Sequence, residues 1–367
     1  MEKEKPKSKL QQLEQDLGSL VLTTNNLIKD LGNYAYCLNN DLIIIQRQFD
    51  KIRKVSSEKK REYNKVKNIR LKWNDQVSKI EKDYKSSLKT DLGGGAAGAG
   101  VGVGVAALGP TAAMSVATTF GVASTGTAIS SLSGAAATNA ALAWLGGGTL
   151  ATGGSGIAGG TALLALAGPI GWTIAGVAIF GSGFFIWKNA KEKEALERIF
   201  LNICERDINT YNKAKSELNE RITRIVAETE LLNSAIVNIG DFGTDYSKMT
   251  KAQHFDLGKY FNTMSISSQL LVKPIDNLQP KVSHNDVDSY LSSNKVEEKY
   301  VVRKDLLVYF GNLLYGIKIN ENERILLTKS FKNNKEFLDK MKFNKEDISI
   351  ELFTLINNIL EFKYQYV

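Results

Sequence analysis

Apolar and polar positions divide this chain into two helical flanks around a central stretch that has almost no polar contrast. In the first flank Ile45, Phe49, Ile52, Tyr63, Val66, Ile69, Trp73, Val77, Ile80, Tyr84 and Leu88 recur mostly at steps of 3 and 4. That spacing puts them on one face of a 3.6-residue helix and predicts a long amphipathic or coiled-coil helix. A charged run, 51–61, interrupts the stripe between Ile52 and Tyr63. Upstream, Leu10, Leu13, Leu17, Leu20, Leu27 and Leu31 predict a shorter helix, broken near Gly32 and Asn33. No proline lies between Lys7 and Gly109 to forbid helix.

The second flank has a matching stripe: Phe200, Ile203, Ile208, Tyr211, Leu218, Ile222, Ile225, Thr229, Leu232 and Ile236, ended by Gly240 and Gly243. A helix over 188–236 would be roughly 70 Å long at 1.5 Å per residue. The two flanks are expected to pack antiparallel as a coiled-coil-like hairpin that presents the central stretch at one tip. After Asp241 the pattern shortens, and Pro274 and Pro280 bound a loop. Segments 304–317, 322–331, 334–341 and 348–364 read as short helices of a small domain. The expected class is all-α: long helices in 1–91, a Gly/Ala-rich membrane segment in 92–187, a long pairing helix in 188–240 and a small helical domain in 241–367.

Between Asp91 and Lys188 lie 96 residues without one Asp, Glu, Lys, Arg or His, holding 24 of the 31 glycines. About 20 apolar residues cross a bilayer, so a run this long predicts a multi-pass transmembrane segment. Its strongest single span is 161–187, where Trp187 against Lys188 makes an interface anchor. Weaker spans are 93–109, 110–123 and 128–145. Gly94, Gly98 and Gly102 repeat at four, as do Gly100 with Gly104 and Gly156 with Gly160. Small residues at that spacing let helices touch in lipid and favour a homo-oligomer. Thr111, Ser115 and Thr118, then Thr127, Ser131 and Thr138 beside Asn139, form mildly polar stripes that could line a pore. The same hydroxyls could equally bond their own backbone or pack between helices. Gly100, Gly102 and Gly104 lack the strand, helix start and later acid of a nucleotide loop.

Charge sharpens the topology. The net charge is +8, and the main surplus, 20 Lys/Arg against 13 Asp/Glu, sits in 1–91 beside the neutral stretch. Lys72, Lys79, Lys82, Lys85 and Lys89 precede that stretch and Lys188, Lys191, Lys193 and Arg198 follow it. With positive charge kept cytoplasmic, both flanks share one side and the chain crosses an even number of times. Met1–Leu10 carries no apolar run of a secretory signal, so the expected place is a bacterial inner membrane with both flanks cytoplasmic. Two cysteines, Cys37 and Cys204, make no disulfide framework, and His254 and His284 make no zinc cluster. Neither metal nor cofactor is expected.

The stretch 107–177, ALGPTAAMSVATTFGVASTG through GGTALLALAGPIGWTIAGV, resembles the Gly/Ala-rich membrane module of bacterial anti-phage membrane effectors of the Hailong type. The resemblance implies a membrane channel governed by a partner enzyme's nucleotide or oligonucleotide product. The apolar insertion between long helices is also similar in architecture to α-helical pore-forming toxins of the cytolysin A and haemolysin BL type. The function expected first is therefore a pore- or channel-forming effector that depolarises a membrane. A secreted pore-forming toxin and a membrane-anchored coiled-coil scaffold are the alternatives, and no catalytic constellation supports an enzyme. Lys299, Arg303 and Lys304 are the residues expected to meet a phosphate-bearing ligand, against the blander reading of a solvated charged face.

Overall fold

The structure, a computed structural model, describes residues 9–92, 110–121 and 190–365 apart from 336 and 339–342. Helices α1 (Lys9–Asp50), α2 (Ser57–Leu92), α3 (Pro110–Phe120), α4 (Ala190–Ile239) and α5 (Lys251–Val272) form a bundle. Helices α6 (His284–Ser293), α7 (Glu298–Val302), α8 (Lys304–Leu314), α9 (Glu321–Lys332) and α10 (Ile350–Gln365) form a second unit at one end of it. The chain is all-α, with no strand among the described residues.

Helix α1 owes its place to a seven-residue repeat. Leu10, Leu17, Thr24, Leu31, Leu38 and Ile45 are spaced by seven and all buried, and Val21, Ile28, Ala35 and Leu42 follow four residues behind. Helix α4 answers with Cys204, Tyr211, Leu218, Ile225, Leu232 and Ile239. Seams of this period keep facing each other along the whole length of two helices. Their direction is set at both ends: Lys9 Nζ reaches Glu205 Oε1 at 2.9 Å, and Gln48 Nε2 donates to the Ile236 carbonyl at 3.0 Å. The two helices therefore run parallel.

This corrects the expected pairing. The stripe from Tyr63 onward is not the chief partner of α4; it belongs to α2, which runs opposite to α4 but packs chiefly on α5 and α3. The physical reason is apolar supply: α1 buries an unbroken seam, while α2 buries Val66, Trp73, Val77 and Ile80 between strongly charged turns. Nor does the chain break at Gly32 and Asn33, because α1 passes straight through them. The reversal falls instead within the charged interruption at 51–56. There Lys54 takes φ 59°, and Arg53 exchanges backbone hydrogen bonds with Thr244 and Tyr246 at 2.7 and 3.0 Å. Helix α2 then runs back along α1, with Arg70 Nε donating to Gln46 Oε1 at 2.7 Å and Lys67 on Asp50 at 2.6 Å.

The C-terminal boundary also moves. Met264, Leu270, Leu271, Ile275 and Leu278 share one core with α1–α4, so α5 is a bundle helix. The small domain begins near Val282, whose side chain joins the other core. Its helices start where local chemistry fixes them: Ser283 with Asp286 and Asn320 with Glu323 form reciprocal capping boxes. Expected helices 304–317, 322–331 and 348–364 correspond to α8, α9 and α10. The 334–341 segment starts with Asn334 Oδ1 accepting from the Phe337 amide at 2.9 Å, and is described only in part. Asn312 stitches the connection together: its side chain accepts from the Lys281 and Val282 amides and donates to the Val282 and Val308 carbonyls, all within 2.9 Å.

Candidate functional site

One piece of the neutral stretch is held inside the bundle. Helix α3 begins with Pro110 in its first turn, where a missing N–H is harmless, and has no charged residue. Residues 112–120 are all buried, as expected for a helix that is apolar all round and is enclosed by its neighbours. Those neighbours are α1, α2 and α5. Burial of Met114, Val116 and Phe120 each contributes roughly 1.5–3 kcal/mol relative to exposure.

Two glycines shape the slot. At Gly32 a Cβ would lie 1.9 Å from Ser115 Oγ and 2.6 Å from the Thr111 carbonyl, so α1 and α3 cross with their backbones almost touching. At Gly121 the chain leaves α3 with φ 76°, and a Cβ there would meet the Val272 carbonyl at 2.6 Å. Only glycine meets both demands at position 121. The end of α3 is then tied down. The Thr119 carbonyl, an orphan of the last turn, accepts from the Ile275 amide at 2.8 Å and from Gln279 Nε2 at 3.3 Å.

Helix α4 secures the turn to which α3 is tied. Arg221 is buried and donates to the Leu270 and Lys273 carbonyls at 3.0 and 2.6 Å. One turn earlier, Glu217 accepts from the Asp276 and Asn277 amides at 2.9 and 3.2 Å. The guanidinium thus closes the C-terminal end of α5, and the carboxylate caps the next turn. Burial lowers the Arg221 pKa, and the nearby Glu217 opposes that shift.

The slot is polar for an interior. Ser115 Oγ donates to the Thr111 carbonyl at 2.9 Å, within its own helix. Thr118 and Thr119 on α3, Ser267 and Ser268 on α5, Asn25 and Asn39 on α1 and Trp73 on α2 each bury a polar side-chain atom without a protein hydrogen-bond partner. Each such atom costs about 1–3 kcal/mol. On α1 the stripe has a period: Asn25, Gly32, Asn39 and Gln46 lie seven apart beside the apolar seam, and all are buried.

Of the hydroxyls expected to line a pore, Thr111, Ser115 and Thr118 are therefore placed against α1, α2 and α5 rather than on an aqueous surface. Thr127, Ser131, Thr138, Asn139, Gly94, Gly98, Gly100, Gly102, Gly104, Gly156, Gly160, Trp187 and Lys188 lie outside the described residues, as does the 161–187 span. Among the described residues no helix is long and apolar enough to cross a membrane. The cations expected to meet a ligand go three separate ways. Lys299 pairs with Glu297 at 2.9 Å, Arg303 with Asp347 at 2.5 Å and Lys304 with Asp288 at 2.5 Å. Each has a carboxylate of its own, and the three form no joint anion site. Sequence reasoning named Gly32 only as a helix break and did not single out Gly121, Glu217, Arg221 or Gln279 for the slot. The seven-residue recurrence of Asn25, Gly32, Asn39 and Gln46 was the available signal for the first of these.

No protein-family model, curated protein or solved structure matches the chain.

Proposed function

We propose that this chain is a membrane-inserting, pore- or channel-forming effector whose neutral segment is kept in part inside a helical bundle until it is triggered. The observation that carries this reading is the run of 96 uncharged residues, of which α3 occupies a tight, polar slot. In water such a run needs cover along most of its length. Among the described residues the slot covers 11 of the run, and lipid is the natural solvent for a neutral run of this length. The gain from burying Met114, Val116 and Phe120 is set against unpartnered hydroxyls of similar magnitude, so α3 can leave the slot at modest cost.

In the full proposal the segment crosses the bilayer an even number of times, its glycines pack a homo-oligomer, and the basic flanks stay on one side. The biological setting that fits is bacterial anti-phage defence at the inner membrane, by collapse of ion gradients under a nucleotide or oligonucleotide signal. A toxin that is released in water and inserts later is the second reading, favoured by the packing of α3 among helices with charged outer faces. Dye-loaded vesicles of anionic lipid, with membrane potential recorded in expressing bacteria, test the proposal. Dye release and depolarisation are expected. Intact protein that associates with neither vesicles nor cell membranes overturns it, and membrane-bound protein without conductance leaves only an anchored scaffold.

A further inference from the structure

The bundle's other end, where α1 turns into α2, holds a cleft of about 610 Å³. That volume is within the usual range for small-molecule sites. Its walls are rings and aliphatic side chains. Phe49 stacks on Tyr63 at 5.7 Å between centroids, and Tyr246 stacks on His254 at 4.1 Å. Positive charge surrounds it: the stretch 51–65 carries seven Lys/Arg against Glu58 and Glu62. Lys59, Lys60 and Lys259 line the cleft itself, with Asp256 3.5 Å from the Lys259 ammonium. Asp50, which also lines it, is already paired with Lys67 and accepts from the Tyr63 hydroxyl at 2.8 Å. Glu62 is the one other carboxylate in the lining.

Two further features mark the mouth of the cleft. Gly258 sits in the interior of α5 and lines the cleft, yet a Cβ there would meet nothing within 4 Å. Alanine at an exposed helix interior is better by roughly 1 kcal/mol, so the glycine has no packing reason within the fold. Phe255, 66 % exposed, is held at the mouth with Lys259 Nζ 4.6 Å from its ring centre. The turn opposite is fixed rather than loose. Lys54 holds its left-handed backbone and pairs with Asp245 at 2.8 Å, while Lys59 Nζ donates to the Tyr246 hydroxyl at 2.6 Å. Strain retained at a cleft is a mark of preorganisation.

We infer that this cleft binds a small ligand in which a flat ring system carries phosphate, the nucleoside phosphate class. The rings stack between the aromatic walls over Gly258, and Lys59, Lys60 and Lys259 meet the phosphate. The inference deepens the regulatory part of the function proposed above and places that regulation away from Lys299, Arg303 and Lys304. Binding to the purified chain and dye release from vesicles are separate measurements, so either claim can fail alone.

The test is calorimetry on the full chain with the four nucleoside monophosphates and triphosphates, beside adenosine, inorganic phosphate and phosphatidylserine vesicles. At least one nucleotide is expected to bind tenfold or more tighter than adenosine or phosphate, and to weaken as salt rises. Gly258→Leu fills the cleft at a position with open space and favours helix, so it should abolish binding while the melting temperature holds or rises. Lys59→Ala should weaken binding about tenfold, which is about 1.4 kcal/mol. Failure of all eight nucleotides, equal binding of bare phosphate, or full binding by Gly258→Leu each overturns the assignment. Vesicle binding through Lys59 without nucleotide binding would reassign the cleft to a lipid headgroup and overturn it too.

Discussion

Around α3 the interior is made of small side chains and hydroxyls, whereas around Phe310 it is made of rings. Phe310 meets Phe331 and Phe353 edge-on at 5.0 and 4.9 Å, with Phe337 and Tyr309 beside them. The nearby buried amide, Asn312, has its hydrogen bonds made. In the bundle Thr118 and Thr119 on α3 and Ser267 and Ser268 on α5 are buried with hydroxyls unpartnered by protein. Ring packing around a satisfied amide deepens the minimum there, although the Ser330 hydroxyl on α9 is also buried without a protein partner. A slot of close backbones is specific in shape, and each unpartnered hydroxyl in it subtracts about 1–3 kcal/mol from its stability. Under the proposed function the first unit stays closed while the second opens.

The largest expected effect tests the closed unit. Phe310→Ala removes a fully buried ring and should cost the C-terminal domain about 3–5 kcal/mol, read by urea denaturation. A loss below 1 kcal/mol would mean that this core is as loose as the slot and would erase the contrast. Next comes the slot itself. Gly32→Val sets a side chain where Ser115 Oγ and the Thr111 carbonyl already lie, so α3 should be expelled. The expected cost is about 1–3 kcal/mol. Amide hydrogen exchange should show loss of protection confined to 111–121, and dye release from vesicles should quicken. Unchanged protection there would show that α3 tolerates the intrusion and is no shallow fit.

How much of this was legible depends on whether the signal was local. The helices 304–317, 322–331 and 348–364 were readable because periodicity and capping residues such as Asn320 and Glu323 act within a few positions. The all-α class followed for the same reason. That α1 is the partner of α4 was not readable from the large apolar residues alone. It depends on Thr24, Ala35 and Cys204, small residues that complete seven-residue series only when they are counted as core. Gly32 looked like a breaker because a glycine costs helix locally, while its reason for being there, Ser115, lies 83 positions along the chain. In the neutral stretch the hydroxyl register of Thr111, Ser115 and Thr118 was visible, but not that α1, α2 and α5 enclose it.

A smaller change sharpens the contrast from the opposite direction. Thr118→Val keeps the shape of a fully buried residue and removes a hydroxyl that no protein group meets. If the slot is shallow because of such groups, the variant should gain up to about 1 kcal/mol and release dye more slowly. Destabilisation would instead show that the hydroxyl has a partner in solution.

A last effect separates the two regions by sign. Glu14 stands in the seven-residue series of Val21, Ile28, Ala35 and Leu42, so its carboxyl enters the α1–α4 seam. Its Oε1 is buried without a protein partner, and burial pushes its pKa from 4.5 up to about 7. Burial likewise raises Glu228 and, against the pull of Arg206, Asp207. A carboxyl with a raised folded pKa binds its proton more tightly in the fold, so its contribution is complete below 4.5 and is lost as pH rises to about 7. In the C-terminal domain Asp286 goes the other way: burial would raise its pKa, but Lys363 and Ser283 together hold it below 3.8. That contribution is present above 3.8 and fades in acid. Between pH 4.5 and 7 the bundle's melting temperature should therefore fall, while the C-terminal transition stays level. Glu14→Gln should flatten the bundle's slope without moving the other transition, and an unaltered slope would place the sensitive groups elsewhere in the seam.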